Sequence, residues 1–591
     1  MLVMRSRSVL RLGAIEESIG SRHAQSMPTS IQNTQSLRQR LRSALPVLRW
    51  VPQYQKQWLR LDFVAGLTLA AFAIPVSLAY TSLAGLPREA GLYSCLLGGV
   101  AYAAFGTSRQ MAVGPTSAIS ILVGASLGTM VSSDTDRQIQ LAMATAVLVG
   151  ALGALAWLFR LGNVVNFISE TVLSGFKMGA GLVIISTQLP KLLGVKSAGS
   201  NFFSRIVQVA EHLGETNLPT LAIGVGALAL LILGEWLLPR RPVALFVMLL
   251  SIAFMSVMPM AGLGVKTIGS IPAGLPHLRW PLVAWHEVDD LFALALGCFL
   301  LAYVEGISVA RTFALKHRYE INPDQELLAL GLANLASGLG HGYPLAGGMS
   351  QTAVNEKGGA KTPLALVFAS LSIGAVLLFL TGLLKNLPDP VLAAVVFMAV
   401  RGLLQPKELK HIRQVSKLEF RVAMVATLGV LVFGILKGVL LAAVLTILLL
   451  LRRASRPRVL RLGRLPGSDR FVDASRYPEH EFIPGVLVFR IESGLFYFNV
   501  QNVKAEILRQ VEAYSGLKLV ILDLSTSANI DLAGGRMLSD LHRELTAQGV
   551  QLKLAEVHGD VRDMLRAEGL QEYVAGIEQR VDVAALVAAA Q

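Results

Sequence analysis

Fourteen apolar segments run through this chain between residues 63 and 451. Inside a bilayer, backbone N–H and C=O groups have no water to bond, so apolar segments of this length fold as membrane-spanning helices. The segments long enough to cross are 63–86, 111–131, 139–160, 164–187, 218–238, 241–260, 288–310, 324–342, 363–384, 419–434 and 436–451. The shorter or interrupted segments are 91–106, 345–358 and 388–404. The pattern predicts a polytopic α-helical membrane protein.

The distribution of charge predicts the orientation of these segments. Only 16% of the 591 residues are charged, whereas soluble proteins carry about 25%. The formal net charge is +14, and dense basic runs at 38–60 and 452–464 flank the apolar segments. Cytoplasmic flanks of membrane helices are enriched in Lys and Arg, so both termini are expected in the cytoplasm and the number of crossings is even. We assign the basic runs to topology and to contact with membrane lipid, not to nucleic acid.

One apolar stretch, residues 341–352, cannot continue as an ordinary helix. Pro344 removes a backbone donor, and Gly347 and Gly348 are poor residues for a helix interior. Irregular backbone is tolerated at membrane depth only where protein buries it or water lines it. The polar residues 350–352 suit the start of a half-helix, whose free N–H groups and partial positive charge attract anions. The break therefore predicts an anion site at membrane depth, as in transporters with discontinuous helices.

A second stretch matches this break. Residues 111–120 and 345–354 each place glycine and then hydroxyl side chains just before a helix. They open the third segment of the first seven and the third segment of the second seven, which indicates two repeats of seven segments. Because seven is odd, the second repeat is inverted relative to the first, and two half-helix N-termini face each other. The alternative is that Gly114 and Pro115 only kink a helix.

Glu305 is the acidic residue that lies deepest in the apolar segments. At about 1.5 Å per residue it is ~22 Å from Asp290 and ~9 Å from Arg311 along a helix. An ionised carboxylate at such depth costs at least about 2.5–3.5 kcal/mol, so it must pair, take up a proton or face water. We expect Glu305 to couple transport to a proton or to sodium; the alternative is a structural carboxylate. Glu170 and Lys177 share a helix face, and we assign them to structural ion pairs or snorkelling.

Other polar residues of the membrane part have local explanations. Asn322 is expected to cap the helix that follows, and Asp324 and Glu326 favour its first turn. Asn334, in the middle of the same segment, is expected to hydrogen-bond to a neighbouring helix. The two cysteines, Cys95 and Cys298, lie in apolar segments and form neither a disulfide framework nor a metal motif.

The chain outside the membrane segments has two parts. The N-terminal residues are rich in Arg, Ser and Gln, which is typical of a disordered arm, and Met27 offers an alternative start. The C-terminal part alternates predicted strands at 485–492, 518–525 and 550–556 with helical patterns, which indicates a small α/β domain. The predicted domains are a cytoplasmic arm (1–60), a transmembrane transport domain (61–452), a linker (453–480) and a cytoplasmic α/β domain (481–591).

The sequence resembles the SulP family of anion transporters over nearly all of its length after residue 60. The residues that carry the likeness are Asp62-Phe-Val-Ala-Gly-Leu-Thr68, Pro75, Ala79-Tyr80, Ala84-Gly-Leu-Pro87, Gly91-Leu-Tyr93, Val113-Gly-Pro-Thr-Ser117, Glu305, Ala310-Arg311, Tyr319, Gln325-Glu-Leu327, Asn334, Gly347-Gly348, Asn355 and Gly358-Gly359. The C-terminal domain resembles a STAS domain. The likeness implies two inverted repeats arranged as core and gate domains, a homodimer, and transport of sulfate, bicarbonate, chloride or dicarboxylates.

The resemblance also implies where the substrate binds, between the first segment and the facing N-termini of the third and tenth. The substrate-binding candidates are Pro75, Tyr80, Thr116, Ser117, Ala118, Gly348, Met349, Ser350, Gln351 and Thr352, with Glu305 as the ion-coupling residue. The sequence departs from the family at three positions. Val76 stands where members often carry Gln, Gln351 where many carry Arg, and Ala533 where phosphorylated relatives carry Ser or Thr. The fixed positive charge on the tenth segment and a phospho-switch at 533 are therefore absent.

The leading hypothesis is a secondary active anion transporter of a bacterial inner membrane, working by alternating access and coupled to protons or sodium. Sulfate is the first expectation for the anion, before bicarbonate or dicarboxylate. The alternatives are a passive anion channel or exchanger on the same scaffold, and a membrane-anchored anion sensor with the C-terminal domain as output. A uracil- or xanthine-type permease shares the repeat pattern, but the C-terminal domain and the 325–327 motif argue against it. We expect no enzymatic activity and no cofactor.

Overall fold

The computed structural model describes residues 45–131, 134–162, 170–195, 199, 201–238, 242–258, 263–569 and 581–590. Two compact units divide the chain at Val444 and Leu445. The first unit contains nearly all of the helices that the apolar segments predict, and the second is a small α/β domain. Most of the basic N-terminal arm lies outside the described residues.

In its described residues the first unit is helical apart from two very short strands, and its last helix, Ile435–Ser455, crosses the divide at residues 444–445. Its elements, in chain order, are α1 (Val47–Trp50), α2 (Trp58–Ala84), α3 (Glu89–Phe105), β1 (Val113–Gly114), α4 (Ser117–Met130), α5 (Thr135–Leu158), α6 (Glu170–Leu193), α7 (Phe202–Glu211), α8 (Leu218–Leu237), α9 (Val243–Val257), α10 (Trp285–His317), α11 (Pro323–Leu339), β2 (Ala346–Gly347), α12 (Met349–Lys357), α13 (Leu364–Phe379), α14 (Thr381–Leu384), α15 (Asp389–Val400), α16 (Pro406–Val415), α17 (Lys417–Phe433) and α18 (Ile435–Ser455).

Each predicted apolar segment coincides with one of these helices or with a strand followed by a helix. Among the described residues, five helices are by themselves long and apolar enough to cross a membrane: α2, α5, α6, α8 and α10. The predicted breaks are present, because β1 precedes α4 and β2 precedes α12. The alternative that Gly114 and Pro115 only kink a continuous helix is therefore wrong. The helix α2 begins at Trp58, three residues before the predicted domain boundary at residue 61.

Helices at matching places in the two halves make matching contacts, as an inverted repeat requires. The helix α5 packs on α11 just as α13 packs on α3, and α6 packs on α17 just as α8 packs on α15. We call α2–α5 with α10–α13 the core group, and α6, α8, α9, α15 and α17 the gate group. The core group contains the two strands. This arrangement agrees with the core and gate domains that the family resemblance implies.

Two amphipathic helices escaped the sequence analysis. The helices α7 and α16 follow the fifth segment of each half, so they too occupy matching positions in the repeat. Each is only ten residues long. Each buries few side chains, such as Val209 on α7 and Leu409 with Ile412 on α16. Ten residues are too few to span a bilayer, so neither helix appears among the predicted apolar segments.

The second unit is a five-stranded sheet with helices on both faces. Its elements are β3 (Val459–Arg464), β4 (Phe471–Asp473), β5 (Val486–Ile491), α19 (Val500–Glu512), β6 (Leu519–Asp523), α20 (Leu532–Ala547), β7 (Gln551–Ala555), α21 (Gly559–Ala567) and α22 (Val583–Ala588). The strand order is β4-β3-β5-β6-β7. The pairs β5–β6 and β6–β7 are parallel, and β3 is antiparallel to both of its neighbours. The three predicted strands are therefore β5, β6 and β7.

The predicted linker, residues 453–480, contains β3 and β4, which extend the sheet beyond β5. The strand β3 was not predicted because Arg461 and Arg464 belong to a basic run, and such a run is typical of the cytoplasmic flank of a membrane helix. In the folded domain Leu462 of this strand is 3% exposed, so the run also supplies part of the core.

Candidate functional site

The site is organised by a crossing of the two interrupted segments. The strand β1 pairs with β2 in antiparallel fashion, with Val113 opposite Gly347 and Gly114 opposite Ala346. The Gly348 N–H donates to the Ala112 carbonyl at 3.1 Å and extends the pairing. All of these residues are buried, which satisfies the requirement that irregular backbone at membrane depth be enclosed by protein.

Both half-helices that leave the crossing begin without a side-chain cap. Thr116 precedes α4 and Gly348 precedes α12, each in an extended conformation and neither making a capping hydrogen bond. The first turn of a helix has N–H groups that find no partner inside the helix. The two N-termini therefore present free donors and partial positive charge near one point, which favours an anion.

Two of the candidate residues hold the crossing itself. The Thr352 hydroxyl accepts from the Ala112 N–H at 3.0 Å, and the Thr352 N–H donates to the Gly348 carbonyl at 2.9 Å. Because the Gly348 N–H donates to the Ala112 carbonyl, it is not free to bind a ligand. Within the predicted range 348–352, the backbone donors left for an anion are therefore those of 349–351.

Glu305 lies beside the crossing because α10 approaches β2 very closely. A Cβ built on Gly347 would lie 3.0 Å from Gly306 Cα, so only glycine allows this contact. Glu305 is half-buried, and accessible polar residues continue along the same helix at Ser308 and Thr312. Because an ionised carboxylate is costly at membrane depth, Glu305 needs a bound proton, water or a partner charge there.

Several candidate side chains surround Glu305. The Tyr80 hydroxyl interacts with the Ser117 side chain, and Glu305 is near enough to act on Tyr80 electrostatically. Thr116 lies next to Glu305. Within the described chain its buried hydroxyl completes no hydrogen bond of good geometry, so it remains available to a ligand. The structure thus brings Tyr80, Thr116, Ser117 and Glu305 together.

The remaining candidates occupy different surroundings. Pro75 and Ala118 are buried, with Pro75 inside α2 five residues before Tyr80. Met349 and Ser350 are exposed at the start of α12. Gln351 is 4% exposed, and its Nε2 makes a long contact of 3.4 Å with the Pro115 carbonyl. The Gln351 side chain therefore lies against the β1 segment, at the position where many family members carry arginine.

Lys177 lies close enough to the candidate site to act on Glu305, although its spacing from Glu170 predicts a structural role. It lies on α6 of the gate group, yet it acts electrostatically on Glu305 of the core group. It is half-buried, and its ammonium group brings positive charge to a site that lacks the tenth-segment arginine. The available signal was a lysine in the middle of an apolar segment, but its partner is 128 residues away in sequence.

Two buried polar side chains, those of Glu326 and Asn334, anchor the segments next to the crossing. Glu326 is fully buried and accepts from the Tyr102 hydroxyl at 2.8 Å and from the N–H groups of Thr107 and Ser108 at 2.7 and 3.2 Å. The helix-terminus explanation of Glu326 is therefore incomplete. Asn334 was expected to bond to a neighbouring helix. Its side chain instead holds the extended segment before β2 through the Leu345 N–H and carbonyl.

Comparison with known proteins identifies this architecture. A model of the sulfate permease family matches residues 59–426, and a model of the STAS domain matches residues 477–584. A probable sulfate transporter of Mycobacterium tuberculosis is 34% identical over 533 residues, which cover 89% of this chain and 95% of that protein. A chloroplastic sulfate transporter, 4.1, of Arabidopsis thaliana is 32% identical over 556 residues, covering 90% and 80%. The chain belongs to the sulfate permease family and carries a C-terminal STAS domain.

The fold of the whole chain also matches solved structures. The murine anion transporter Slc26a9, solved in an inward-facing state, superposes with a TM-score of 0.85 at 24% identity, covering 93% of this chain and 95% of that one. The transmembrane domain of a cyanobacterial bicarbonate transporter, BicA, gives a TM-score of 0.58 and covers 66% of this chain. The SulP resemblance, the polytopic helical fold and the C-terminal STAS domain predicted from the sequence are confirmed.

Proposed function

We propose that the protein is a secondary active transporter of small anions, with sulfate as the first candidate. The observation that carries this proposal is the β1–β2 crossing, which brings two uncapped half-helix N-termini together beside Glu305. The names of the relatives add support, because the two that we cite are named as a probable sulfate transporter and a sulfate transporter. The anion binds to the N–H groups at the start of α4 and α12 and to the hydroxyls of Thr116, Ser117 and Ser350.

Transport proceeds by alternating access of the core group against the gate group. The crossing, both half-helices and Glu305 belong to the core group, so an anion held there moves with that group. Lys177 belongs to the gate group, and its electrostatic contact with Glu305 changes when the two groups move. Protonation of Glu305, or sodium bound near it, removes the negative charge that repels the anion and thereby couples the two fluxes.

The protein acts in a bacterial inner membrane with both termini in the cytoplasm, as the basic flanks indicate. We propose that it works as a homodimer surrounded by lipid. The STAS domain serves regulation or docking, and Ala533 in its 529–534 loop carries no hydroxyl for phosphorylation.

Uptake of radiolabelled sulfate into proteoliposomes tests the proposal. We expect an inward proton or sodium gradient to drive accumulation above equilibrium. The variant Glu305→Gln removes the titratable charge with little change in shape, and it should abolish gradient-driven accumulation while sulfate exchange persists. Glu320→Gln is the matched control, because Glu320 lies in an exposed connection after α10.

Two results would contradict the proposal. Unchanged coupling in Glu305→Gln would remove the coupling role of Glu305. Sulfate currents that follow the membrane voltage, with no accumulation against a gradient, would indicate a passive channel on the same scaffold.

A further inference from the structure

A second cluster of charges lies where the core group meets the gate group, at the C-terminal end of α2. Arg88, in the turn after α2, and Ser82, on α2, come from the core group. Lys191, near the end of α6, and Asp389, the first residue of α15, come from the gate group. The cluster lies outside the crossing, and none of the residues discussed so far belongs to it.

The ion pair in this cluster is incomplete. Arg88 Nη2 lies 3.3 Å from Asp389 Oδ1, and the two side chains are only 21% and 26% exposed. Arg88 Nη1 is buried and has no hydrogen-bond partner among the described residues. Arginine reaches its full strength with carboxylates and oxyanions when both nitrogens of its fork are engaged. One arm of the Arg88 fork is therefore unused.

Lys191 adds a second cation without adding a carboxylate. Its Nζ donates to Ser82 Oγ at 2.8 Å. Within the described part of the chain no carboxylate lies at salt-bridge distance from it, although Asp389 and Arg88 both act on it electrostatically. Two largely buried cations therefore share one acidic partner. Partly buried charge without full compensation is costly, and an anion between the two would relieve that cost.

A cavity adjoins Arg88 and Ser82, and Lys191 reaches its wall through its hydrogen bond to the Ser82 hydroxyl. It has a volume of about 500 Å³, and its lining includes Ser82, Arg88, Glu89 and Ser270. A water molecule in the liquid occupies about 30 Å³, so the cavity has room for a small oxyanion together with several waters. The cavity is lined by the Arg88 guanidinium and by the hydroxyls of Ser82 and Ser270, which favour an anion. The Glu89 carboxylate in the same lining repels one.

We propose that Arg88 and Lys191 form a second binding site for a small oxyanion, which receives the anion before it reaches the crossing. Ser82 lies two residues beyond Tyr80 on α2, a rise of about 3 Å. An anion held near Ser82 is therefore close to the crossing along the helix axis. This inference rests on the proposed anion transport, and it adds an encounter site to that function.

The test is the concentration dependence of radiolabelled sulfate uptake into proteoliposomes. Because a hydrogen bond to a charged group is lost in each variant, Arg88→Gln and Lys191→Met should each raise the half-saturating sulfate concentration by about tenfold, with little change in maximal rate. Lys191→Arg keeps the charge and should restore most of the affinity. Glu89→Gln removes an opposing charge and should lower the half-saturating concentration.

Asp389→Asn separates a binding site from a structural latch. An anion site predicts that releasing Arg88 from Asp389 leaves the sulfate affinity unchanged or improves it. A purely structural ion pair predicts that Asp389→Asn impairs uptake as much as Arg88→Gln does, and that result would overturn the proposal. Thermal midpoints of the purified variants show whether each is folded.

Failure of this inference is distinguishable from failure of the proposed function. If the wild type takes up sulfate and both Arg88→Gln and Lys191→Met keep its half-saturating sulfate concentration, only the second site is overturned. If the wild type moves no sulfate, the proposed function fails, and equilibrium binding of sulfate to purified protein decides the second site. Binding that weakens in both variants supports it. Binding that stays equal to wild type, or variants that lose bound phospholipid instead of sulfate, overturns it.

Discussion

Val113 of β1 lies directly opposite Gly347 of β2, and this antiparallel register joins the two halves of the membrane unit at one point. The half-helices α4 and α12 leave the crossing in sequence immediately after it. Their N-terminal donors therefore converge as a direct consequence of the strand pairing. Because the site depends on this backbone geometry, we expect it to be sensitive to added side-chain bulk at Gly347.

A methyl group at Gly347 should disrupt the crossing. A Cβ there would lie 2.5 Å from Met111 Sδ and 3.0 Å from Gly306 Cα, and the second contact is with backbone that cannot rotate away. Overpacking of this kind costs about 1–3 kcal/mol. We expect Gly347→Ala to lower the thermal midpoint in detergent and to reduce sulfate uptake strongly.

The neighbouring glycine is the control for this prediction. A Cβ on Gly348 would find its nearest atoms at 3.6 Å, all on the Gln351 side chain, which is ordinary contact. Gly348→Ala should therefore keep the wild-type midpoint. Equal midpoints for Gly347→Ala and wild type would show that α10 does not press on the crossing as described.

Lys177 and Glu305 should behave as a coupled pair. Removing one partner leaves the other charge in the membrane without compensation, which is more costly than removing both. We expect Lys177→Met and Glu305→Gln each to lower the thermal midpoint. The double variant should lose less than the sum of the two, with an interaction free energy of about 0.5–3 kcal/mol.

If the stability losses of Lys177→Met and Glu305→Gln simply add in the double variant, the two residues do not interact. Lys191→Met serves as the comparison, because Lys191 lies on the same helix but acts on Arg88 and Asp389 instead. Combined with Glu305→Gln, it should give additive changes. The same cycle measured on sulfate uptake tells whether the pair also contributes to transport.

The membrane part was predictable where one physical rule dominates a local stretch of sequence. Apolar length forces helices in lipid, and a Pro–Gly cluster inside such a stretch forces a break, so the segments and the break at 341–352 follow from the chain alone. The likeness of 111–120 to 345–354 then predicts that the breaks are related. The strand pairing between them is a tertiary contact, and only the structure gives its register.

Contacts between distant segments were not predictable in the same way. The proximity of Lys177 to Glu305 depends on how the gate group packs on the core group, and no spacing within either helix encodes it. An acidic residue in the first turn of a helix is favourable by itself, so the position of Glu326 gave no sign of its hydrogen bonds with Tyr102 and Thr107. The strand β3 could not be predicted for a different reason. Its arginines are equally typical of the cytoplasmic flank of a membrane helix.

Asp62 should stabilise the connection that follows α12. Its carboxylate accepts from the N–H groups of Lys361 and Thr362 at 2.7 and 3.1 Å, from the Thr362 hydroxyl at 2.7 Å and from the Tyr54 hydroxyl at 3.2 Å. Hydrogen bonds to a charged group contribute about 1.5–3 kcal/mol each. Asp62→Asn should therefore lower the thermal midpoint more than Tyr54→Phe, which removes only the longest of these bonds. The reverse order would contradict the assignment of Asp62 as the anchor.

The STAS domain contains one ion pair with a buried carboxylate and another with an exposed one. Arg490 Nε lies 2.7 Å from Asp523 Oδ2, and the Asp523 side chain is only 2% exposed. The other Asp523 oxygen accepts from the Ser525 N–H at 2.9 Å. In the exposed pair Arg464 lies 2.8 Å from Asp469, whose side chain is 81% exposed.

Neutralising the two acids should have unequal effects on a soluble fragment of residues 455–591, which includes β3 and β4. Asp523→Asn should lower the free energy of unfolding by about 1–3 kcal/mol, because the buried acceptor loses the charge that strengthens its bond to Arg490. Asp469→Asn should change it by less than about 1 kcal/mol, as for other exposed pairs. Urea unfolding followed by circular dichroism measures both. Similar losses in the two variants would mean that the Arg490–Asp523 pair is as accessible to solvent as the exposed one.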